Sequence, residues 1–273
     1  MKLRRVLACC LVSATWLMTF IEVPVWAQEP FRLTPSARFL LGMDTGYLWM
    51  SGEMLVPAGG MPDSGSKVDM SSLGLEQGES VTIFLQGAIL ERHLINLDYL
   101  MASPTGLRRM SSSFWFQNRA YAVDAPLETR LDLNWLRVSY GYKILDVSSF
   151  WVAPRIGVHH ILFGATINGE TMDRVSISNT RKLDGIYPVL GFEARYLFPY
   201  GVDLNLEMEG VHLITRGFLA MARLGAYWEI HPDIVITLGA STRFVNCVED
   251  NQILNNEWSL NLAGLSAGLL FGF

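Results

Sequence analysis

Three things are scarce in this chain. Cysteine is the first: there are three, of which Cys9 and Cys10 lie at the extreme N-terminus and Cys247 alone lies in the body. One thiol cannot form an internal disulfide, which excludes a stapled secreted scaffold. Long hydrophobic runs are the second. Half the residues are hydrophobic, yet after residue 27 no apolar run is long enough for a transmembrane helix, a span of about 20 residues. Positive charge is the third: 21 Lys and Arg stand against 26 Asp and Glu, which argues against nucleic acid as a partner.

Residues 1–27 have the layout of a secretory signal peptide. Lys2, Arg4 and Arg5 form a positive start, Val6 to Phe20 an apolar core, and Val25-Trp26-Ala27 a small-residue cleavage site. Glu22 and Pro24 follow the core at once, which disfavours a membrane anchor. Cleavage would leave 18 basic against 25 acidic side chains, a net charge of −7. Residues 28–37, with Pro30 and Pro35, read as a periplasmic linker.

The rest of the chain is dominated by a period of two, the signature of strands with unlike faces. In Ser259–Phe273 (SLNLAGLSAGLLFGF) the set Ala263, Leu265, Ala267, Leu269, Phe271, Phe273 alternates with the slimmer Gly264, Ser266, Gly268, Gly272; Leu262 and Leu270 are exceptions. Similar alternation recurs and predicts about ten strands, with eight or twelve as alternatives. Short turns alternate with long connections at 51–79, 102–129, 167–186 and 246–257, and Ile214–Gly217 is a short connection on the long-loop side. High hydrophobicity spread over alternating strands suits an all-β, transmembrane, antiparallel up-and-down β-barrel over 38–273, with the long loops outside the cell. Two local conflicts stand out. Leu131, Leu133 and Trp135 are apolar at odd positions but Val138, Tyr140 and Tyr142 at even ones, which predicts a β-bulge near Trp135–Leu136. Pro154 is awkward in a central strand and is expected near a strand's periplasmic start. Phe114-Trp115-Phe116 reads as a strand extension or an extra hairpin.

A soluble barrel of lipocalin type would put the apolar face inside. Here the polar face is rich in Gly, Ser and Thr with isolated charges of both signs, which suits a crowded lumen. Aromatics at predicted strand ends form expected interfacial girdles: Tyr47, Trp49 and Trp258 on the outer side, Tyr142, Trp151, Trp228, Phe271 and Phe273 on the inner.

The final strand with its terminal aromatic resembles the closing strand of bacterial outer-membrane β-barrels, and the resemblance implies that Phe271 and Phe273 are read by the barrel-assembly machinery. Val68–Leu75 (VDMSSLGL), Glu91–Tyr99 (ERHLINLDY), Ser139–Lys143 (SYGYK) and Tyr187–Gly191 (YPVLG) resemble a widespread group of small outer-membrane barrels. That implies a fold and an outer-membrane location but no defined activity.

The polar face supplies a candidate lumenal charge network: Asp44, Asp98, Arg155, Glu193, Arg195, Asp203, Glu207, Glu209, Arg223, Glu229 and Arg243. Glu207 and Glu209, about 7 Å apart at two strand rises, could form an acid/base pair. The competing reading is an ion-pair network with Arg223, Arg195 and Arg155, because buried charges must be paired. Of His159 and His160 only one can face inward. Glu249-Asp250-Asn251 and Asn255-Asn256-Glu257 read as solvated loop rather than a cation site. No cofactor, resident metal or catalytic set is expected. The expected partners are outer-membrane lipid and lipopolysaccharide, and the expected state is a monomer. The expected role is a structural or surface-interaction barrel with a side-chain-plugged lumen. A narrow solute channel is the alternative, and a rim-active protease or lipid-modifying enzyme comes third.

Overall fold

The computed structural model describes residues 39–56, 66–109, 113–116, 119–122, 124–199, 201–213, 217–231, 233–251 and 254–273. The expected signal peptide (1–27) and linker (28–37) lie outside these residues. Ten strands form the barrel: β1 (Phe39–Val56), β2 (Gln77–Ile89), β3 (His93–Ala102), β4 (Pro126–Tyr142), β5 (Phe150–Glu170), β6 (Ser176–Leu197), β7 (Val202–Leu213), β8 (Gly217–His231), β9 (Ile234–Asn251) and β10 (Leu254–Gly272). Each pairs antiparallel with its sequence neighbours, and β1 closes on β10 from Leu40↔Gly272 to Leu55↔Glu257. Closure removes both sheet edges, as a hydrocarbon surrounding demands.

The register fixes the barrel's dimensions. Paired positions run from Ser51 through Asn261, Phe244, Ala220, Gly210, Leu190, Ile156, Tyr140, Ile95 and Gly87 back to β1 at Phe39. The circuit returns 12 residues from its start. With ten strands and standard spacings this gives a tilt of about 40° and a wall radius of about 10 Å.

Outward side chains form an apolar belt about 25 Å tall on these spacings, from Phe39, Phe271, Trp228 and Tyr142 at one end to Trp49, Ala263, Leu136 and Phe218 at the other. Above it the strands continue well into the stretches that the sequence assigns to long loops. β5 and β6 pair without interruption up to Glu170↔Ser176, and β9 and β10 up to Asn251↔Leu254. Short accessory strands extend this upper part: Ser66–Asp69 on β1 and Thr105–Arg109 on β4. The aromatic cluster at 114–116 belongs to a separate hairpin with Arg119–Tyr121.

The expected bulge in β4 is absent. Its pairings with β3 and β5 run unshifted through Trp135 and Leu136, and burial alternates strictly along the strand. The apolar residues change parity because the environment inverts. Inside the belt the lumen is polar and the outside apolar. Above the belt Leu127, Leu131, Leu133 and Trp135 fill the interior while Glu128, Arg130, Asp132 and Asn134 face outward. The register shift that does occur lies at Glu229/His231 in β8. Pro154 sits in the fifth position of β5, faces outward, and precedes the first β4 pairing at Arg155. Two expected girdle residues belong inside instead: Trp258 is at the centre of the upper core and Trp151 in the lower one.

Candidate functional site in the barrel lumen

Inward side chains divide the lumen into three layers. Nearest the periplasmic end, Phe84, Tyr227, Val235 and Leu270 pack with Leu40, and Leu94, Trp151 and Ala153 pack with Ala88. At the opposite end a large apolar core gathers Met50, Met54, Leu131, Phe163, Trp258 and Leu262 with their neighbours. Leu262 and Leu270, which interrupt the slim face of β10 in sequence, are thus part of the two apolar layers. The segment Val68–Leu75 folds over the mouth, with Met70, Leu73 and Leu75 fully buried and Met70 N donating to Gly52 O at 2.9 Å.

Between these layers, at the depth of the belt, lies the ionic layer. Arg137 on β4 is its hub. Its guanidinium pairs with Asp98 of β3, with Glu207 at 2.6 Å and with Glu209 at 3.6 Å, both of β7. Arg155 on β5 pairs with Glu193 at 3.1 Å, Glu207 at 3.3 Å and Glu209 at 3.4 Å, and donates to Ser139. His159 links Glu209 (Nε2 to Oε2, 2.7 Å) to the indole N–H of Trp135 (3.1 Å). Arg223 lies across from Glu207 in register, yet its guanidinium reaches Asp44 at 2.9 Å; Thr237 donates to the other Asp44 oxygen at 2.6 Å. Room for Asp44 comes from Gly268, where a Cβ would stand 2.2 Å from its carboxylate. Nearer the periplasm, Arg195 approaches Glu193 and Asp203 at 4.0 and 3.9 Å and lies over the rings of Trp151 and Tyr227.

Nine of the eleven residues singled out in sequence therefore take part in ion pairs. Asp44, Asp98, Arg155, Glu193, Asp203, Glu207, Glu209 and Arg223 are buried, and Arg195 joins them at the layer's lower edge. Glu229 and Arg243 make no ion pair among the described residues. Glu229 lies at the periplasmic end of β8. Arg243 points inward beside Ser241 and over Trp135. The hub Arg137 is missing from that set, along with His159, Asn96, Ser139, Asn205 and Thr237. Arg137 and Ser139 alternate with the apolar Val138, Tyr140 and Tyr142 and so lie on the opposite, polar face; the signal existed, and the supposed bulge obscured it. Glu207 and Glu209 are each held by arginines, which is the network arrangement rather than a free acid/base pair. His160 faces outward and meets Asp184 at 2.8 Å.

Neither His159–Glu209 nor His160–Asp184 hydrogen-bonds a Ser, Thr or Cys among the described residues. No group of three or more His, Cys, Asp or Glu there could hold a metal ion. Of the loop carboxylates considered for a cation, only Glu257 has a described side chain, and it pairs with Lys67 at 3.4 Å.

No family model and no curated protein matches the sequence. Solved structures do match the fold. The outer-membrane protease OmpT of Escherichia coli is 12% identical, with 90% of this chain and 100% of that one covered and a TM-score of 0.62. The translocator domain of the autotransporter NalP of Neisseria meningitidis is 10% identical over 86% of this chain and 88% of its own, at 0.46. Neisserial surface protein A is 13% identical over 87% and 98%, at 0.35. The chain has the fold of bacterial outer-membrane β-barrels, and its apolar belt belongs in the outer membrane of a Gram-negative cell.

Proposed function

We propose that this protein is a closed outer-membrane barrel with a structural or surface-interaction role, a rigid stem that holds its extracellular ends clear of the lipid. One observation carries this reading: among the described residues the lumen is blocked by an ionic layer between two apolar layers. Buried arginines paired with several carboxylates are expensive to separate, so the ionic layer is a poor route for solutes. The inversion of faces above the belt favours a stem. There the wall has a dry core and a polar exterior, the construction of a water-soluble barrel. From His160 to Glu170 the β5–β6 hairpin climbs roughly 25 Å at standard rise and tilt. Lipopolysaccharide around the stem and molecules outside the cell are the partners this geometry suits.

Planar-bilayer recording of refolded protein tests the proposal. Insertion without steady conductance is expected. Stable channels of nanosiemens size would overturn the filled-lumen reading and favour a solute channel.

A further inference from the structure

Arg243 is the cation of the ionic layer that its acids leave unserved. Glu193, Glu207 and Glu209 are engaged by Arg137 and Arg155, and Asp98 by Arg137. Asp44 accepts from Arg223, Thr237 and, at 3.4 Å, Ser266. Arg243 donates to Ser241 Oγ at 3.3 Å and covers the Trp135 ring at 5.7 Å, with no carboxylate in ion-pair range among the described residues.

Beside it lies a cavity of about 20 Å³ bounded by Arg243, Arg223, Asp44, Ser80, Thr82 and Ser241. Its wall is rich in donors. The hydroxyls of Ser80 and Thr82 have no hydrogen-bond partner among the described residues, and Arg243 keeps most of its five N–H groups free. Gly264 on the slim face of β10 also borders the space. Two guanidinium charges there face one carboxylate. In the cavity wall this is a local excess of one positive charge, held in a low-dielectric place at membrane depth.

We propose that the cavity between Arg223 and Arg243 binds one small monovalent anion of chloride size. Volume limits the ligand, since about 10–15 Å³ of such space holds a single water, so a carboxylate-bearing metabolite or a phosphate does not fit. The local charge of the wall, two guanidiniums against one carboxylate, selects an anion over water. The anion acts as a local counter-ion between Arg223 and Arg243, and its binding strengthens the folded state by mass action.

The test uses the refolded full-length barrel in detergent, with sodium chloride exchanged for sodium gluconate at constant ionic strength. Ligand-linked stability predicts a thermal midpoint rising roughly 3–5 °C per tenfold chloride above saturation. Arg243→Gln should lose this dependence. Should that variant fail to fold, Ser80→Ala with Ser241→Ala should weaken it while keeping both arginines. Crystals soaked in bromide should give an anomalous peak between Arg223 and Arg243. A midpoint indifferent to chloride in the unmutated protein, or a cavity without bromide, would overturn the proposal.

Discussion

Replacing Arg137 with Met isolates what the ionic layer contributes. The methionine keeps much of the stem's volume and removes only the guanidinium. Glu207 and Glu209 would retain Arg155 at 3.3 and 3.4 Å, and Glu209 would retain His159 at 2.7 Å. Asp98 would fare worst. Arg137 is its ion-pair partner among the described residues, and its Oδ1 already lacks a hydrogen bond. Removing one member of a buried pair costs about 3–5 kcal/mol, because a desolvated charge is stranded. At about 2–4 °C per kcal/mol for a chain of this size, the thermal midpoint should fall by roughly 6–20 °C. The assay is the heat-induced loss of the compact, fast-migrating form on cold gels, checked by tryptophan fluorescence, since Trp135 and Trp151 lie next to the layer. Asp98→Asn in the Arg137→Met background should recover part of the loss, with a coupling of about 1 kcal/mol or more between the two sites. A single variant within about 1 kcal/mol of the parent would refute the reasoning, as would strict additivity. Either result means that water in the lumen screens these charges as it does at a surface.

Two further outcomes are expected. Cys247 lies just above the belt, is 2% exposed, and meets Tyr187 Oη at 3.0 Å; burial pushes its thiol pKa up, so little thiolate exists at neutral pH. Maleimide should label it only after unfolding, and rapid labelling of the folded barrel would show that the upper apolar core opens. Phe273 exchanges backbone hydrogen bonds with Phe39 (3.4 and 3.1 Å) and stacks on its ring at 6.1 Å, forming the last rung of closure. Its deletion should lower the yield of folded barrel in the outer membrane, measured by heat-modifiable mobility of membrane fractions, and an unchanged yield would remove the assembly role proposed for it.

The ten strands and the inward set of charges were legible because alternation is a local signal. Asp203, Glu207 and Glu209 stand two apart on β7, and any strand puts such residues on one face. Which partners meet is set by shear, and shear is a property of the closed circuit. That is why Arg223, opposite Glu207 in register, ends on Asp44 of a distant strand, and why Arg137 of β4 meets β7 across the lumen. Trp258 and Trp151 were misplaced for a related reason. An aromatic near a strand end can face the lipid interface or an interior core, and parity decides between them only once the environment of each face at that height is known.

The break in parity along β4 carries the most information of any local conflict in the sequence. A bulge and an inversion of environment both move apolar residues from odd to even positions, so one strand cannot separate them. Several strands together can. Outward polar residues begin at Asn134 after Leu136, at His160 after Val158, at Asp184 after Ile186, at Ser51 after Trp49 and at Asn261 after Ala263. Bulges would have no reason to fall at one height on so many strands, whereas the outer edge of a membrane must cross every strand once. The inversion therefore locates the lipid boundary from residue types alone. It follows that a charge placed outward below this line, such as Val138→Lys, should cost about 2–4 kcal/mol near the membrane midplane. The same change at Asp132, above the line, should cost far less, since that position already faces water. Urea-unfolding midpoints of the two variants in lipid vesicles measure the difference. Equal costs would mean that the apolar belt does not end between Asn134 and Leu136.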